Sequence, residues 1–369
     1  MNPDNLNNTT PGSFDSNPSR SAGEMTPPSS PPPPHESQNF WKYILGGILA
    51  VILLGVAVFF AYQGESLPVK EEAPLKIGII VRGNSYKPGV EGFKAKMAEL
   101  GYVEGKTVVY DVRFVENVSD LPAITSEVLA NGAVLLHTYS TPATIEAAKQ
   151  TKTIPIIFGS MGDAVASGLI NSLQEPGTNV TGILSMSVET APKRLELLTE
   201  LYPDAKKIGF PYTVDDIPAK RSLEEVTKAA PKLGVTLVPY EITKEKPAAE
   251  VAKIVFRKDV DGIVVASDSG VWAKLPAYIE QAKKEKLPFA VFDKAMVESG
   301  GLVGYGPDYF GVGGQAAVLA KKIFGGADPA KLPIETPTKM IVALNLKTAE
   351  AIGLSVPDAF LVKVDYLVK

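Results

Sequence analysis

Residues 41–62, WKYILGGILAVILLGVAVFFAY, constrain this chain more than any other stretch. From Ile44 onward they carry no charge, and a helix needs about 20 such residues to cross the hydrocarbon core of a bilayer. Trp41, Tyr43 and Tyr62 stand near the two ends, where a ring with a polar edge suits the headgroup boundary, and Lys42 can extend outward to lipid phosphates. Apolar side chains occupy every face of the helix rather than one stripe, which argues against a helix buried in a soluble core. The run is longer than a secretory signal core, follows a long leader and has no small-x-small cleavage site, which argues against a cleaved signal. The expectation is an uncleaved signal-anchor. Basic residues flank it on both sides, Lys42 before and Lys70 and Lys76 after, so charge alone does not orient it.

What precedes the span, residues 1–40, is rich in Asn, Ser and Pro, with Pro31 to Pro34 in one run. So few apolar groups cannot offset the entropy of ordering, and a disordered leader is expected. Residues 63–74 read as an acidic linker. About 300 residues then remain, enough for two lobes with cores of their own.

Composition removes several function classes. The net charge of −4 is mild and mixed, with no basic stripe for nucleic acid. The sequence has no cysteine, so thiol catalysis, disulfides, thiolate metal sites and a lipidated cysteine are excluded. Only His35 and His137 are present, and His137, with no nucleophile motif near it, reads as a structural residue rather than a general base. No phosphate loop or dinucleotide fingerprint occurs. Gly304, Gly306, Gly311, Gly313 and Gly314 have the wrong spacing for one and read as hinge and close-packing glycines. No cofactor and no metal are expected.

After the linker the pattern alternates. Residues 75–81, LKIGIIV, form a short continuous apolar run typical of a strand buried on both faces. A helix over 88–100 follows, with Val90, Phe93, Met97 and Leu100 at helical spacing and Gly101 as its stop. Strands are then expected at 108–115, 133–136, 154–158 and 180–184, with helices at 121–130, 144–150 and 165–173. A second series begins with a helix at 192–201 and a strand from Lys207, and runs through strands at 235–238, 262–266 and 289–292 and helices at 223–233, 248–256 and 276–285. Further pieces at 302–305, 311–324 and 340–344 complete both sheets only if the chain crosses between lobes, which makes a multi-stranded hinge around a cleft. Ligands in such folds sit at the carboxyl ends of the strands. The expected architecture is an α/β fold of two doubly wound parallel-sheet lobes with a multi-crossing hinge, preceded by one transmembrane helix. Residues 75–184 with 303–330 make the first lobe, and 185–302 with 331–369 the second.

Several phrases along 75–369 resemble a known family. They are GYVEG from Gly101, IPIIF from Ile154, PGTNVTG from Pro176, YGPD from Tyr305, PTK from Pro337 and NLKT from Asn345. In this order and spacing they are similar to the substrate-binding proteins of ABC importers of the tryptophan or tyrosine type. That resemblance implies a type I periplasmic-binding-protein fold with three hinge crossings and no catalysis. It also implies delivery of a captured solute to permease subunits with a cytoplasmic ATPase, and a C-terminal domain outside the cytoplasm on a single-pass membrane anchor. The chain departs from the family at Asp163-Ala164-Val165, at Gly177-Thr178-Asn179, in the loop after Phe210 and in lacking the lipidated cysteine.

Candidate ligand-binding residues follow from the strand ends. Ser140 and Thr141 precede Pro142, with Thr141 placed to cap a helix beginning at Pro142. The free N–H groups and positive dipole end of that helix suit a ligand carboxylate, and the resemblance implies a carboxylate there. Asp163 and Asp268 sit at strand ends of opposite lobes, each able to meet a ligand ammonium or to cap the following helix. Asp308 and Asp293 read as weaker candidates. Tyr86, Tyr139, Tyr212, Trp272 and Tyr305 offer rings for a planar ligand, and equally for packing; of these Tyr86, Trp272 and Tyr305 are retained. The expected function is a membrane-anchored, non-enzymatic receptor of an ABC importer for a small solute such as an aromatic or other amino acid. A tethered sensor on the same fold is the alternative, and an α/β enzyme the weaker one.

Overall fold

A computed structural model describes residues 40–63, 73–256, 259–265 and 268–369. The chain divides into two compact units, Met1–Glu71 and Glu72–Lys369. In the first, Phe40–Gln63 form one helix, α1. Its described side chains are exposed, and Phe40–Phe59 is long and apolar enough to cross a membrane. The expected leader and linker fall outside the described residues, apart from Phe40, Gln63, Ala73 and Pro74.

The second unit begins with the expected alternation. Strand β1 (Leu75–Val81) leads to helix α2 (Lys87–Glu99), β2 (Val108–Phe114), α3 (Leu121–Ala130), β3 (Leu135–Tyr139), α4 (Thr141–Gln150), β4 (Ile156–Ser160) and β5 (Val180–Gly182). The five strands make one parallel sheet in the order β2-β1-β3-β4-β5. In β1 the residues from Ile77 to Val81 are all buried, as a strand covered by helices on both faces must be. Helix α2 ends as its glycine predicts: Gly101 takes φ +95° while Tyr102 N–H donates to Met97 O at 2.9 Å and Gly101 N–H to Ala98 O at 3.0 Å, the paired bonds of a left-handed helix stop.

The chain continues through α5 (Ala191–Leu201), β6 (Lys207–Thr213), α6 (Ile217–Ala229), β7 (Thr236–Ile242), α7 (Ala248–Val255), β8 (Gly262–Val264), α8 (Ser269–Ala273), α9 (Leu275–Glu285), β9 (Phe289–Val291), α10 (Lys294–Glu298) and β10 (Val303–Pro307). It ends with α11 (Tyr309–Phe324), β11 (Met340–Asn345), α12 (Leu346–Ile352), α13 (Asp358–Leu361) and β12 (Tyr366–Val368). The second sheet has the order β12-β11-β10-β9-β8-β6-β7. Its segment β7-β6-β8-β9-β10 repeats the order of the first sheet, and β11 is added antiparallel to β10.

Three connections join the lobes. The first leaves β5, where Ile183 bridges Glu335 and Leu184 N–H donates to Glu335 O at 3.0 Å. The second lies between β10 and α11, with Asp308 N–H donating to Lys339 O at 3.0 Å. The third runs through Glu335 into β11. Strand β10 is hydrogen-bonded in the second sheet, not with the first lobe, to which the sequence reading assigned residues from 303 onward. The helix after it, α11, packs along α2. Gly92 and Gly313 let those two backbones touch: a Cβ at either would strike the Phe310 or Gly89 carbonyl, which only glycine avoids.

One expected element is absent among the described residues. Residues 165–173 form turns rather than a helix. Asp163 Oδ1 accepts from Ala166 N–H at 2.9 Å and starts a turn, but Gly168 at φ +72° ends it after a single cycle. The short helices α8, α10, α12 and α13 carry too few residues to show a helical period.

Candidate functional site

The carboxyl ends of β1, β3 and β4 in the first lobe face the loops after β6 and β8 in the second. Between them lies a cavity of about 400 Å³. Six of the seven candidate residues line it, namely Tyr86, Ser140, Thr141, Asp163, Asp268 and Trp272. Tyr305 does not. It sits on β10 opposite Val342 and packs with the apolar residues of the second lobe, because Gly304 and Gly306, its neighbours on the other face, lie against the backbone at Asp293.

The first-lobe wall starts at Ser140. This residue, not Thr141, caps α4, and Thr141 and Pro142 are the first helical residues. Ser140 Oγ accepts from Ala143 N–H at 3.4 Å. Its φ of +91° with ψ +148° lies in a region that side chains avoid at a cost of about 1–3 kcal/mol, and residues kept there cluster at functional sites. The strain is held in place because Ser140 N–H donates to Ser160 O at 3.2 Å and its carbonyl accepts from Thr144 Oγ1 at 2.9 Å. The start of α4 therefore points its N–H groups and positive dipole end at the cavity.

Beside it stands Arg82, the residue after β1, which sequence reasoning passed over. Its Nε is buried with no hydrogen-bond partner among the described residues, although the guanidinium lines the cavity. The rule that ligands sit at strand carboxyl ends points directly to this position.

Acidic groups gather elsewhere on the cavity: Asp163 from the first lobe, and Asp215, Asp216 and Asp268 from the second. Their roles differ. Asp216 caps α6 through Ala219 N–H at 3.0 Å. Asp163 uses Oδ1 in its turn and pairs through Oδ2 with Arg221 of α6, an ion pair rather than a well-aligned hydrogen bond. Asp268 is only 1 % exposed. Its Oδ1 accepts from Thr213 Oγ1 at 2.8 Å, Gly270 N–H at 2.7 Å and Val271 N–H at 3.0 Å, and its Oδ2 accepts from Thr213 N–H. Four donors already satisfy this carboxylate, so the capping role foreseen for it is the one the geometry displays.

The rings form a chain from one lobe to the other. Tyr86 stacks on Tyr139 with centroids 5.3 Å apart and on Trp272 at 6.1 Å, and meets Tyr309 edge-on at 4.9 Å. Trp272 continues to Phe292 at 5.7 Å, over which the Arg194 guanidinium lies at 5.2 Å. Burial pushes the Tyr86 hydroxyl up to about 12, against the lowering pull of its bond to Ser160. Tyr86 is thus a neutral, apolar surface with its oxygen tied down. Tyr212 is occupied by Glu241 at 2.9 Å. Ile145, Met161, Ile217 and Pro218 add aliphatic surface to the cavity.

Behind this wall lie buried titratable groups, of which sequence reasoning did not foresee Arg194. Arg194 is fully buried and donates to Ser187 O at 2.9 Å and to Thr190 Oγ1 at 2.9 Å; burial brings it down to about 9 while Asp293 opposes that shift. Asp293 caps α10 through Met296 N–H at 2.9 Å, and burial raises it to about 6. His137 is structural as expected: it is buried, its Nδ1 lies 2.8 Å from Ile157 O and its ring stacks on Phe93 at 4.5 Å. Among the described residues no cluster of three or more His, Asp or Glu is placed to hold a metal ion. The cavity combines one cationic end, one acidic rim and an aromatic wall.

The family model described as ABC transporter substrate binding protein matches residues 75–368. A tyrosine-binding protein of Clostridioides difficile (strain R20291) is 26% identical over 328 residues, covering 86% of this chain and 93% of that protein. Among solved structures, an ABC domain in complex with L-Trp from Streptococcus pneumonia is 26% identical with a TM-score of 0.73, covering 80% of this chain and 100% of that one. The ligand-free, open structure of a substrate binding protein with adhesive properties from Clostridium difficile is also 26% identical, covering 80% of this chain and 99% of that one, with a TM-score of 0.63. At equal identity, the likeness is greater to the L-Trp complex than to the open structure.

Proposed function

Because the chain belongs to the ABC transporter substrate-binding protein family, whose members bind rather than catalyse, we propose that it captures an aromatic amino acid between its lobes and passes it to a membrane permease. The observation that carries this reading is Arg82, a guanidinium with a buried, unpartnered Nε, beside the start of α4 in a cavity walled by Tyr86 and Trp272. A buried guanidinium N–H without a partner is costly unless an acceptor, best an anion, meets it. A ligand carboxylate supplies that anion, with the Ser140 and Thr141 hydroxyls and the helix start around it.

The ligand ammonium then faces the acidic rim at Asp215, with the paired Asp163 and the capping Asp216 beside it, and its ring lies along Tyr86 and Trp272 with Ile145, Met161 and Pro218 at its edges. Asp268 serves the site indirectly, by holding the end of β6 to the start of α8. Carboxylate, ammonium and ring each have a matching surface in the one cavity, which is what an aromatic amino acid requires. The likeness to a tyrosine-binding protein and to an L-Trp complex supports the same class. Helix α1 serves as the membrane anchor, with the domain from Leu75 outside the cytoplasm, where a receptor for an importer meets its solute and the permease.

The test is calorimetric titration of the full chain in detergent micelles with L-tyrosine, L-tryptophan, tyramine and glucose. Binding of the L-amino acids is expected, with tyramine, which lacks the carboxylate, at least about tenfold weaker, and with Arg82→Met removing that difference. Equal affinity for tyramine, or binding of glucose alone, overturns the reading.

A further inference from the structure

We infer that Arg221 is a closing residue, holding the two lobes together across the mouth of the cavity through Asp163. The inference rests on reading the cavity as a ligand cleft, but not on which ligand fills it. Arg221 belongs to α6 of the second lobe, and Asp163 to the loop after β4 of the first. They form an ion pair in which the Asp163 side chain is 10% exposed and the Arg221 side chain 48%. The other described ion pair of α6, Lys228 with Glu225, is of the local i,i+3 kind, whereas this one joins elements that meet only when the lobes do.

A second contact marks the same seam. A Cβ built on Gly162 would lie 3.0 Å from Pro218 Cγ and 3.1 Å from Pro218 Cβ, so the loop backbone rests directly on the first turn of α6. Glycine at 162 permits that approach, and Pro218 presents a rigid surface to it. The apolar contact fixes how closely the lobes meet, and the ion pair adds an attraction between them that the ligand does not have to supply. Asp163 is largely shielded from water while its partner is partly solvated, so the pair is screened less than a fully exposed bridge and is still subject to salt.

Binding is helped by such a pair through population. If part of the protein already occupies the closed arrangement, the apparent affinity rises by that fraction. Arg221 also sets charge at the rim, since its guanidinium neutralises Asp163 and leaves Asp215 as the more available acid for a ligand ammonium.

The experiment uses the full chain in micelles. The sequence has no cysteine, so Lys149→Cys on α4 and Lys228→Cys on α6, both at exposed positions, accept a spin-label pair that reports the distance between lobes. Without added amino acid, the wild-type closed-to-open ratio is expected to fall about fivefold as salt rises from ~0.01 M to ~1 M, over which the screening length drops from about 30 Å to about 3 Å. Arg221→Gln should already show the lower ratio at low salt and respond little to more. Arg221→Lys should keep the salt response, and the exchange Asp163→Arg with Arg221→Asp should restore it. Gly162→Ala, which leaves both charges in place, should shift the distances toward open at every salt concentration. Distances in Arg221→Gln that match wild type at low salt overturn the inference, as does a Gly162→Ala protein with unchanged distances. A wild type that shows the salt response but no shift with L-tyrosine or L-tryptophan refutes the choice of ligand and leaves the closing role standing.

Discussion

Replacing Asp268 separates a structural carboxylate from a ligand-binding one. In Asp268→Ala the N–H groups of Gly270 and Val271 lose their cap, a loss of about 1 kcal/mol. The Thr213 N–H and Oγ1, which now donate to the carboxylate, lose a charged acceptor in a site that is almost dry. A buried donor left without a partner costs about 1–3 kcal/mol, although a hydroxyl can rotate toward another acceptor, so Thr213 adds about 2 kcal/mol. The sum is about 3 kcal/mol of unfolding free energy. Asp268→Asn keeps an acceptor for the cap but turns an amide toward the Thr213 N–H, and should cost about 1–2 kcal/mol. Urea unfolding of the full chain in micelles at pH 7, followed by far-ultraviolet circular dichroism, measures both. The linear dependence on denaturant should keep its slope while the midpoint falls in the order wild type, Asn, Ala. Calorimetry on the folded variants at low temperature completes the test. An Asp268→Ala protein that loses less than about 1 kcal/mol, yet binds L-tyrosine or L-tryptophan about tenfold more weakly than wild type, would refute this reasoning and return Asp268 to direct contact with the ligand.

Three further outcomes are expected. Ser140→Gly relieves a positive φ and keeps a tolerable cap, so thermal unfolding should show equal or up to about 1 kcal/mol greater stability, while calorimetry shows weaker binding; stability lost by more than 1 kcal/mol would mean that the hydroxyl is retained for the fold. His137, held neutral by burial and brought down to about 4, takes up its proton in the unfolded chain near pH 6.5 but not in the folded one. Its contribution is therefore complete above about 6.5 and is lost as pH falls toward 4, by about 3 kcal/mol, and His137→Phe should flatten that slope in urea unfolding at pH 7.5 and 5. Asp293 acts in the opposite sense. Raised to about 6, its protonated form favours the fold below about 4, and that benefit is lost as pH rises through 6, so Asp293→Asn should be the more stable protein at pH 8 by about 1 kcal/mol; a variant less stable at pH 8 than at pH 5, relative to wild type, contradicts it.

Much of the protein is legible along the chain because its strongest signals are local. An uncharged apolar run long enough to cross a bilayer is visible residue by residue, and α1 forms where that run lies. Buried strands announce themselves as short apolar runs, as at Leu75–Val81, and Gly101 stops its helix by a backbone preference that needs no partner. The strand-end rule brought Ser140, Thr141 and Asp163 to one cavity, because the carboxyl ends of parallel strands share one edge whatever the details of packing.

Other features depend on partners distant in sequence, and only the tertiary structure decided them. Strand β10 reads like any short strand, but the antiparallel β11 beside it places it in the second sheet. The helical spacing at 165–173 was overruled by Gly168 and by the turn that Asp163 starts. Asp268 could cap or bind when read alone, and Thr213, 55 residues away, takes up the rest of its carboxylate. Arg82 is marked only by its place at the end of β1, and Arg221 carries no local mark to separate it from other basic residues. The Nε of the first has no hydrogen-bond partner among the described residues, and the second is paired across the cavity mouth by the way the lobes meet. The sequence by itself thus determined most of the strands, the longer helices and the apolar helix α1, since hydrophobic burial and backbone preference act within a few residues. The tertiary structure decided which charges are spent on the fold and which face the cavity, since that depends on groups brought together only when the chain has folded.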